Sequence, residues 1–122
     1  MAALLFVLFG FSTGCGAVLG LGGTDASTIV FATGELQVTQ ASSLADLDDA
    51  CRRAIETLAY DEIETVREAD ERRWRATTPG GDPVDIHLKA RGPEQTEVRI
   101  RVGVSGNEGR SRLVLEQIRQ SL

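Results

Sequence analysis

The chain has 122 residues, of which 42% are hydrophobic and 25% charged, so it suits one small globular domain and is unlike a disordered chain. Its formal net charge of -5 argues against general nucleic-acid binding, which requires a basic surface. Two cysteines are too few for a fold held together by disulfide bonds, so the domain depends on a hydrophobic core.

The amino-terminal segment has the pattern of an export signal. Residues 1–24 contain no charged side chain, and residues 2–11 form an apolar run of the length of a signal-peptide core. The small residues 12–14 then precede Cys15. This arrangement resembles the bacterial lipobox, in which a small residue precedes a lipid-bearing cysteine. The resemblance implies that a signal peptide of residues 1–14 is removed and that two acyl chains on Cys15 anchor the protein to a membrane.

Two features of the segment depart from the lipobox pattern. Ser12 stands where leucine is usual, and the leader carries no lysine or arginine. Two other interpretations of residues 4–21 stay open, an uncleaved membrane-spanning helix and a buried helix of a soluble protein. Glycine inside a helix costs about 1 kcal/mol relative to alanine, and the four glycines here disfavour the buried helix. Residues 15–28 are predicted to be a flexible Gly-rich tether, and residues 29–122 a single domain.

The predicted domain begins with a strand and a helix. Residues 29–40 contain strand formers, with Gly34 as a bend or bulge. Ser43 is a helix N-cap, and apolar residues follow it at spacings of three and four, which predicts an amphipathic helix. The apolar stripe consists of Leu44, Leu47, Cys51, Ile55 and Leu58. On this stripe Cys51 is expected to be a buried thiol rather than a reactive one.

After this helix the hydrophobic period becomes alternating, which predicts an antiparallel meander with one buried face. A short, weakly patterned strand around Ile63 and Thr65 comes first, and the charged residues 67–71 are predicted to turn. Three strands with cleaner alternation follow, separated by turns at residues 79–83 and 92–94. The predicted inward-facing residues are Trp74, Ala76, Val84, Ile86, Leu88, Ala90, Val98, Ile100, Val102 and Val104.

The chain ends in a second predicted helix, with Asn107 as its cap and an inner stripe of Val114, Leu115, Ile118 and Leu122. The predicted element order is therefore β-α-β-β-β-β-α. Two amphipathic helices have one large apolar surface to cover, the inner face of the meander. The predicted fold is an α+β two-layer sandwich, in which an antiparallel meander sheet of four to five strands is covered on one face by two helices.

Short motifs along the whole chain carry a resemblance to a known family. They are Gly14-Cys15, Thr33-Gly34-Glu35-Leu36, the helix of residues 50–58, Val84-Asp85-Ile86, Ile100-Arg101-Val102-Gly103, and Gly106-Asn107 with the helix of residues 111–122. The chain resembles the small bacterial envelope lipoproteins grouped as domain of unknown function 3568. Asn107 stands where that family usually has aspartate, and both residues cap helices. The resemblance implies an envelope location and this fold, and it implies no activity.

The polar face of the predicted sheet carries the candidate binding residues. In simple register, basic side chains from three strands project together with Asp85 and Glu97 among them. The basic residues are Arg73, Arg75, His87, Lys89, Arg91, Arg99 and Arg101. A net basic face would suit an anionic envelope component, such as an acidic glycan or a phospholipid headgroup, or an acidic protein partner. The alternative is the ordinary polar face of a sandwich, on which Lys and Arg discourage aggregation.

Nucleic acid is not a predicted partner of this face. Sheets that bind single-stranded nucleic acid stack bases on exposed aromatic side chains, whereas Trp74 alternates with the inward-facing residues. Export would also separate the protein from cytosolic nucleic acid.

His87 is the one histidine of the chain, and Asp85 lies two residues before it on the same strand face. A His–carboxylate pair occurs in catalytic triads and metal sites, so an enzyme or accessory subunit using His87 and Asp85 is one alternative function. No serine or cysteine has an activating context, and one histidine with scattered carboxylates is a poor ligand set. No catalytic residue, metal or cofactor is therefore predicted. A self-assembling structural protein is the other alternative.

The sequence thus predicts a membrane-anchored lipoprotein that faces the periplasm and acts as a small non-enzymatic binding or interaction module. Gly16 follows Cys15, and in enteric bacteria an aspartate at that place retains lipoproteins at the inner membrane. Its absence favours the outer membrane. The oligomeric state is not predicted.

Overall fold

A computed structural model describes residues 28–122, which contain six strands and two helices. The strands are β1 (Val30–Ala32), β2 (Glu35–Gln40), β3 (Asp61–Arg67), β4 (Glu71–Thr77), β5 (Pro83–Gly92) and β6 (Gln95–Val102). The helices are α1 (Leu44–Thr57) and α2 (Glu108–Gln120). The predicted signal peptide of residues 1–14, Cys15 and all but the last residue of the predicted tether lie outside the described residues.

The six strands form one antiparallel sheet in the order β1-β2-β6-β5-β4-β3. The strands β3 to β6 are a meander, in which each strand pairs with the next along the chain. The hairpin of β1 and β2 joins the meander beside β6, with Leu36 opposite Ile100. The predicted α+β fold with an antiparallel sheet and two helices is confirmed. The sheet has six strands, where the sequence predicted four to five.

The additional strand comes from residues 29–40, which were predicted to be one strand with a bend at Gly34. Thr33 (φ 51°) and Gly34 (φ 78°) both have left-handed backbone conformations, as the central residues of a type I′ turn do. They connect β1 to β2. Thr33 is branched at Cβ, and such residues rarely adopt positive φ. The Thr-Gly pair therefore lacks the Asn-Gly or Asp-Gly signature by which such a hairpin is usually predicted.

Both helices lie against the inner face of the sheet, and the core fills the space between them. The Oγ of Ser43 accepts a hydrogen bond from the backbone N–H of Asp46 at 3.2 Å, and Oδ1 of Asn107 accepts one from that of Arg110 at 2.9 Å. Both predicted N-caps are therefore confirmed. Helix α1 packs mainly on β4 and β5, and α2 on β2 and β6. The largest fully buried side chains include Trp74, Leu36, Leu47, Ile86, Leu88, Ile100 and Ile118.

Two residues predicted to face inward lie outside the core. Val104 is 88% exposed, because β6 ends at Val102 and Gly103, with φ 88°, turns the chain away from the sheet. Leu122 is 47% exposed, because α2 ends at Gln120. Both predictions extended a regular period beyond the end of its element.

Strand β3 is the edge strand farthest from the β1–β2 hairpin, and it is exposed along most of its length. Its register with β4 shifts between Glu62 and Glu64, so Ile63 lies in a bulge and is 63% exposed. The bulge interrupts the alternation of side chains, which explains the weak pattern of this strand in the sequence. Bulges on edge strands also discourage pairing with the edges of other molecules.

Asp48 of α1 accepts hydrogen bonds from two side chains at the margin of the core, Trp74 and Arg67. Trp74 is 2% exposed, and its Nε1 donates to Oδ1 of Asp48 at 2.9 Å. The Nε of Arg67 donates to Oδ2 at 2.9 Å, and the Nε of Arg72 lies 3.6 Å from the same oxygen. The guanidinium of Arg67 also lies over the indole, 5.4 Å from its centre. A buried indole N–H needs such a partner, because an unsatisfied buried donor destabilises the fold.

The turn between β1 and β2 packs against the loop that precedes α2. A Cβ atom at Gly34 would lie within 3.0 Å of the backbone oxygen of Ser105, and one at Gly106 within 3.0 Å of the backbone oxygen of Gly34. The two glycines therefore allow an approach of two backbones that side chains would prevent. Arg101 fixes the turn as well, because its Nη2 donates to the carbonyl of Thr33 at 2.9 Å.

Candidate functional site

The outer face of the sheet is the face turned away from the helices, and its side chains form rows across the strands. In the central row, which we name the basic row, Arg73 of β4 lies opposite His87 of β5, which lies opposite Arg99 of β6. The rows on both sides of it alternate in charge, and we name them the alternating rows. One contains Glu64, Arg75, Asp85 and Arg101, and the other contains Glu71, Lys89 and Glu97.

Ion pairs hold most of the charges of the alternating rows. Arg75 lies 3.4 Å from Glu64 and 3.6 Å from Asp85. In the other row, the Nζ of Lys89 donates to Oε2 of Glu71 at 3.1 Å. Opposite charges on neighbouring strands stabilise a sheet by roughly 0.2–1 kcal/mol per pair. These contacts form within the protein and do not require a ligand.

Glu71 also binds the histidine of the basic row. Its Oε1 lies 2.8 Å from Nε2 of His87. The hydrogen bonds with His87 and Lys89 lower the pKa of Glu71 below its ordinary value, so the carboxylate remains ionised at neutral pH. The sequence placed this residue in a predicted turn of residues 67–71, whereas it is the first residue of β4.

Glu97 is a buried carboxylate that orders two arginines of the outer face. It is 5% exposed, and it accepts hydrogen bonds from Arg91 and Gln37, while the Nη2 of Arg99 lies 3.4 Å away. Burial by itself raises the pKa of Glu97, but the hydrogen bond from Arg91 and the charge of Arg99 outweigh burial and lower that pKa. Glu97 is thus ionised and compensates part of the charge of Arg99.

Unlike Arg101, which forms no ion pair but donates to the carbonyl of Thr33, Arg73 of the outer face has no partner for its side chain among residues 28–122. Its side chain is exposed, and among the residues that the structure describes it makes neither an ion pair nor a hydrogen bond. The side chain opposite it on β5 is His87, and the next across the row is Arg99, so the basic row contains no carboxylate. A bound anion would therefore supply the compensating charge that Arg73 lacks.

The basic row and one alternating row line a shallow depression of about 540 Å³. The side chains around it are Glu35, Arg73, Arg75, Asp85, His87, Arg99 and Arg101. The structure thus brings together all the predicted binding residues except Lys89 and Arg91, which lie beside the depression and bind Glu71 and Glu97. The acidic residues Glu35, Glu64 and Glu71 were not predicted to belong to this face, which is therefore less basic than the sequence suggested.

His87 and Asp85 do not form the pair on which the enzymatic alternative depends. His87 contacts Glu71, and Asp85 contacts Arg75. Within residues 28–122, no group of three or more His, Cys, Asp and Glu side chains is arranged to hold a metal ion. Cys51 is fully buried, and burial raises the pKa of its thiol, which confirms the prediction of a buried cysteine.

Comparison with known families gives a match along nearly the whole chain. A model of the family described as "Protein of unknown function (DUF3568)" matches residues 1–121. The chain belongs to this family. The resemblance noted from the short motifs is thereby confirmed, and the family match includes the segment that precedes the domain. No curated protein matches the chain. Of the helices in the described part, neither is long and apolar enough to cross a membrane.

Two of the motifs that carry the resemblance to the DUF3568 family touch each other in the structure. The Thr33-Gly34 motif forms the turn between β1 and β2, and Gly106 of the Gly106-Asn107 motif packs on the backbone of Gly34. Arg101, from a third motif, donates to the carbonyl of Thr33. These motifs therefore form one structural unit at one end of the depression.

Proposed function

We propose that this chain is a bacterial envelope lipoprotein, anchored through acyl chains on Cys15, whose domain is a small non-enzymatic module that binds an anionic envelope component. The observation that carries the binding proposal is Arg73, an exposed and uncompensated guanidinium on a face where most other charges are paired. A protein with a net charge of -5 repels anions at long range, so a local cluster of this kind has to supply the attraction.

The basic row suits a phosphate or carboxylate group. A guanidinium presents a planar set of donors that matches two oxygens of such a group. The neighbours of Arg73 are already held in place, because His87 contacts Glu71 and Arg99 contacts Glu97. Side chains that are ordered before binding lose less conformational entropy when a ligand binds, which favours affinity.

Binding of pyrophosphate to the full-length protein in a neutral detergent tests this proposal. Replacing Arg73→Gln should weaken binding about tenfold, the effect of one charge-assisted hydrogen bond. Arg112→Gln is the matched control, because it removes the same charge from an exposed arginine that lies on α2, away from the depression. Its affinity should stay within about twofold of the wild type, since a distant surface charge is screened by salt. Equal affinities of the two variants would refute the binding proposal.

The anchor and the compartment rest on the sequence of residues 12–16. Intact mass analysis of the protein from the membrane fraction should show the loss of residues 1–14 and the added mass of acyl chains. A Cys15→Ala variant should keep its leader and gain no lipid. Recovery of the unprocessed wild-type chain from the soluble cytosolic fraction would contradict the proposal. Gly16 after the cysteine favours the outer membrane.

The two alternative functions lead to different outcomes. An enzyme or accessory subunit based on His87 predicts that His87→Ala alone abolishes a cellular phenotype, while Arg73→Gln leaves that phenotype intact. A self-assembling structural protein predicts a discrete oligomer of the full-length protein in mild detergent. The binding module predicts that loss of Arg73 has the larger cellular effect of these two substitutions.

A further inference from the structure

Two carboxylates in the depression have acceptor capacity that the protein leaves unused. The nearest cation to Asp85 is Arg75, whose Nε lies 3.6 Å away, beyond the usual length of a hydrogen bond. Glu35, at the other end of the depression, makes no ion pair with any residue from 28 to 122. Both side chains are partly exposed and line the same depression as Arg73.

The turn between β1 and β2 keeps Arg101 from pairing with these carboxylates. Arg101 lies opposite Asp85 in its alternating row, yet its Nη2 donates to the carbonyl of Thr33 at 2.9 Å. The absence of a side chain at Gly34 makes room for this arrangement, since a Cβ there would lie 2.6 Å from Nη1 of Arg101. The depression therefore presents cationic donors and anionic acceptors side by side.

The unused groups restrict the chemistry of the ligand. Of the charged side chains that line the depression, Arg73, Arg101 and Glu35 form no ion pair among residues 28–122, and this positive excess favours a ligand with a net negative charge. A carboxylate can only accept hydrogen bonds. An anion without donor groups, bound at Arg73, would therefore make no hydrogen bond with Asp85, whose oxygens would stay bonded to water. Hydroxyl groups on the same ligand would donate to Asp85. A zwitterion such as a phosphoethanolamine group also offers donors, but it brings little net charge to the positive excess.

We infer that the ligand is an anionic sugar, with its phosphate or carboxylate group on Arg73 and its hydroxyl groups on Asp85. This inference rests on the proposed anion-binding function and specifies the class of its ligand. Arg73 and Asp85 are diagonal neighbours on β4 and β5, a relation that places backbone positions roughly 7–8 Å apart. One sugar ring with its attached anionic group covers such a span.

The inference is tested by measuring how tightly three small phosphate compounds bind to the full-length protein in a neutral detergent. The probes are inorganic phosphate, glucose 1-phosphate and phosphoethanolamine. Glucose 1-phosphate should bind about tenfold more tightly than inorganic phosphate, because its hydroxyl groups add a charge-assisted hydrogen bond to Asp85. In Asp85→Ala this preference should disappear, while the affinity for inorganic phosphate stays equal or rises. Retained phosphate binding also shows that the variant is folded.

Each other outcome contradicts a different part of the argument. Equal binding of phosphate and glucose 1-phosphate, both weakened by Arg73→Gln, would overturn the sugar and leave the anion-binding function standing. If phosphoethanolamine bound as tightly as glucose 1-phosphate, an ammonium group would be as good a donor to Asp85 as a hydroxyl group, and the inference of a sugar would be overturned. A preference that survives Asp85→Ala would overturn the role of that carboxylate. Anion binding that does not depend on Arg73 would overturn both the inference and the proposed function.

Discussion

Replacement of Gly34 by alanine tests whether the close packing of the β1–β2 turn is essential to the fold. Gly34 has φ 78°, and a left-handed conformation costs an L-residue about 1–2 kcal/mol. The new Cβ would also overlap the backbone oxygen of Ser105, which no side-chain rotation can relieve. Overpacking of this kind adds about 1–3 kcal/mol. The free energy of unfolding should therefore fall by about 2–5 kcal/mol.

Gly81→Ala is the matched control for this prediction. Gly81 has φ 93°, so the alanine variant bears the same kind of backbone strain, but its Cβ would meet no atom within 4 Å. Its unfolding free energy should fall by about 1–2 kcal/mol only. Urea denaturation of the full-length variants measures both losses, and a difference of this size separates their midpoints by about 1 M. Equal losses in the two variants would show that the turn does not pack tightly on the loop before α2.

Three further predictions concern buried or partly buried groups. Asp48→Ala should lower the unfolding free energy by about 1–3 kcal/mol, because Trp74 loses its hydrogen-bond acceptor. Thermal or urea unfolding measures this loss. The control is Glu56→Ala on the exposed side of α1, which should lower the unfolding free energy by at most about 0.5 kcal/mol in the same assay. Glu97 has a pKa below the ordinary 4.5, so its contribution to stability is present above that pH and is lost as the pH falls through its lowered value. The stability gap between wild type and Glu97→Gln, measured by urea unfolding across acidic pH, should narrow below pH 4.5, and a gap independent of pH would contradict the assignment. In a Cys15→Ala variant, whose one cysteine is Cys51, a thiol reagent should react in denaturant and not with the folded protein, since the side chain of Cys51 is fully buried.

The sheet was predictable from the sequence where each strand alternates without interruption. In β5 and β6 the period of two separates the core from the outer face, so Arg99 and His87 were assigned to one face correctly. The same rule failed at the ends of elements. The alternation predicted that Val104 faces inward, because the period of the side chains does not show that the backbone turns away from the sheet at Gly103.

The contacts of the candidate site were less predictable, because they depend on which strands are neighbours. Glu35 lies at the depression only because β2 pairs with β6, and the sequence does not specify that pairing. Asp85 was the expected partner of His87 from their spacing on one strand, but the cross-strand neighbour Glu71 lies closer. The predicted net basic face therefore carries more carboxylates than the sequence analysis assigned to it. Extending the alternation of Arg73 and Arg75 back by two residues would have placed Glu71 on this face.

The position of β2 between β1 and β6 determines when the sheet can be completed. The strands β3 to β6 pair with their neighbours in sequence, so short loops bring them together quickly. Strand β2 has to wait for β6, which lies at the far end of the domain, and until then Leu36 and Val38 have no partner on that side. Pairing between strands so far apart in the sequence slows folding, because the entropy of closing the loop is lost before the contacts form. In a chain delivered amino-terminal end first, the apolar side chains of β2 would thus lack their partners on β6 until that last strand arrives, and the sheet would be completed only then.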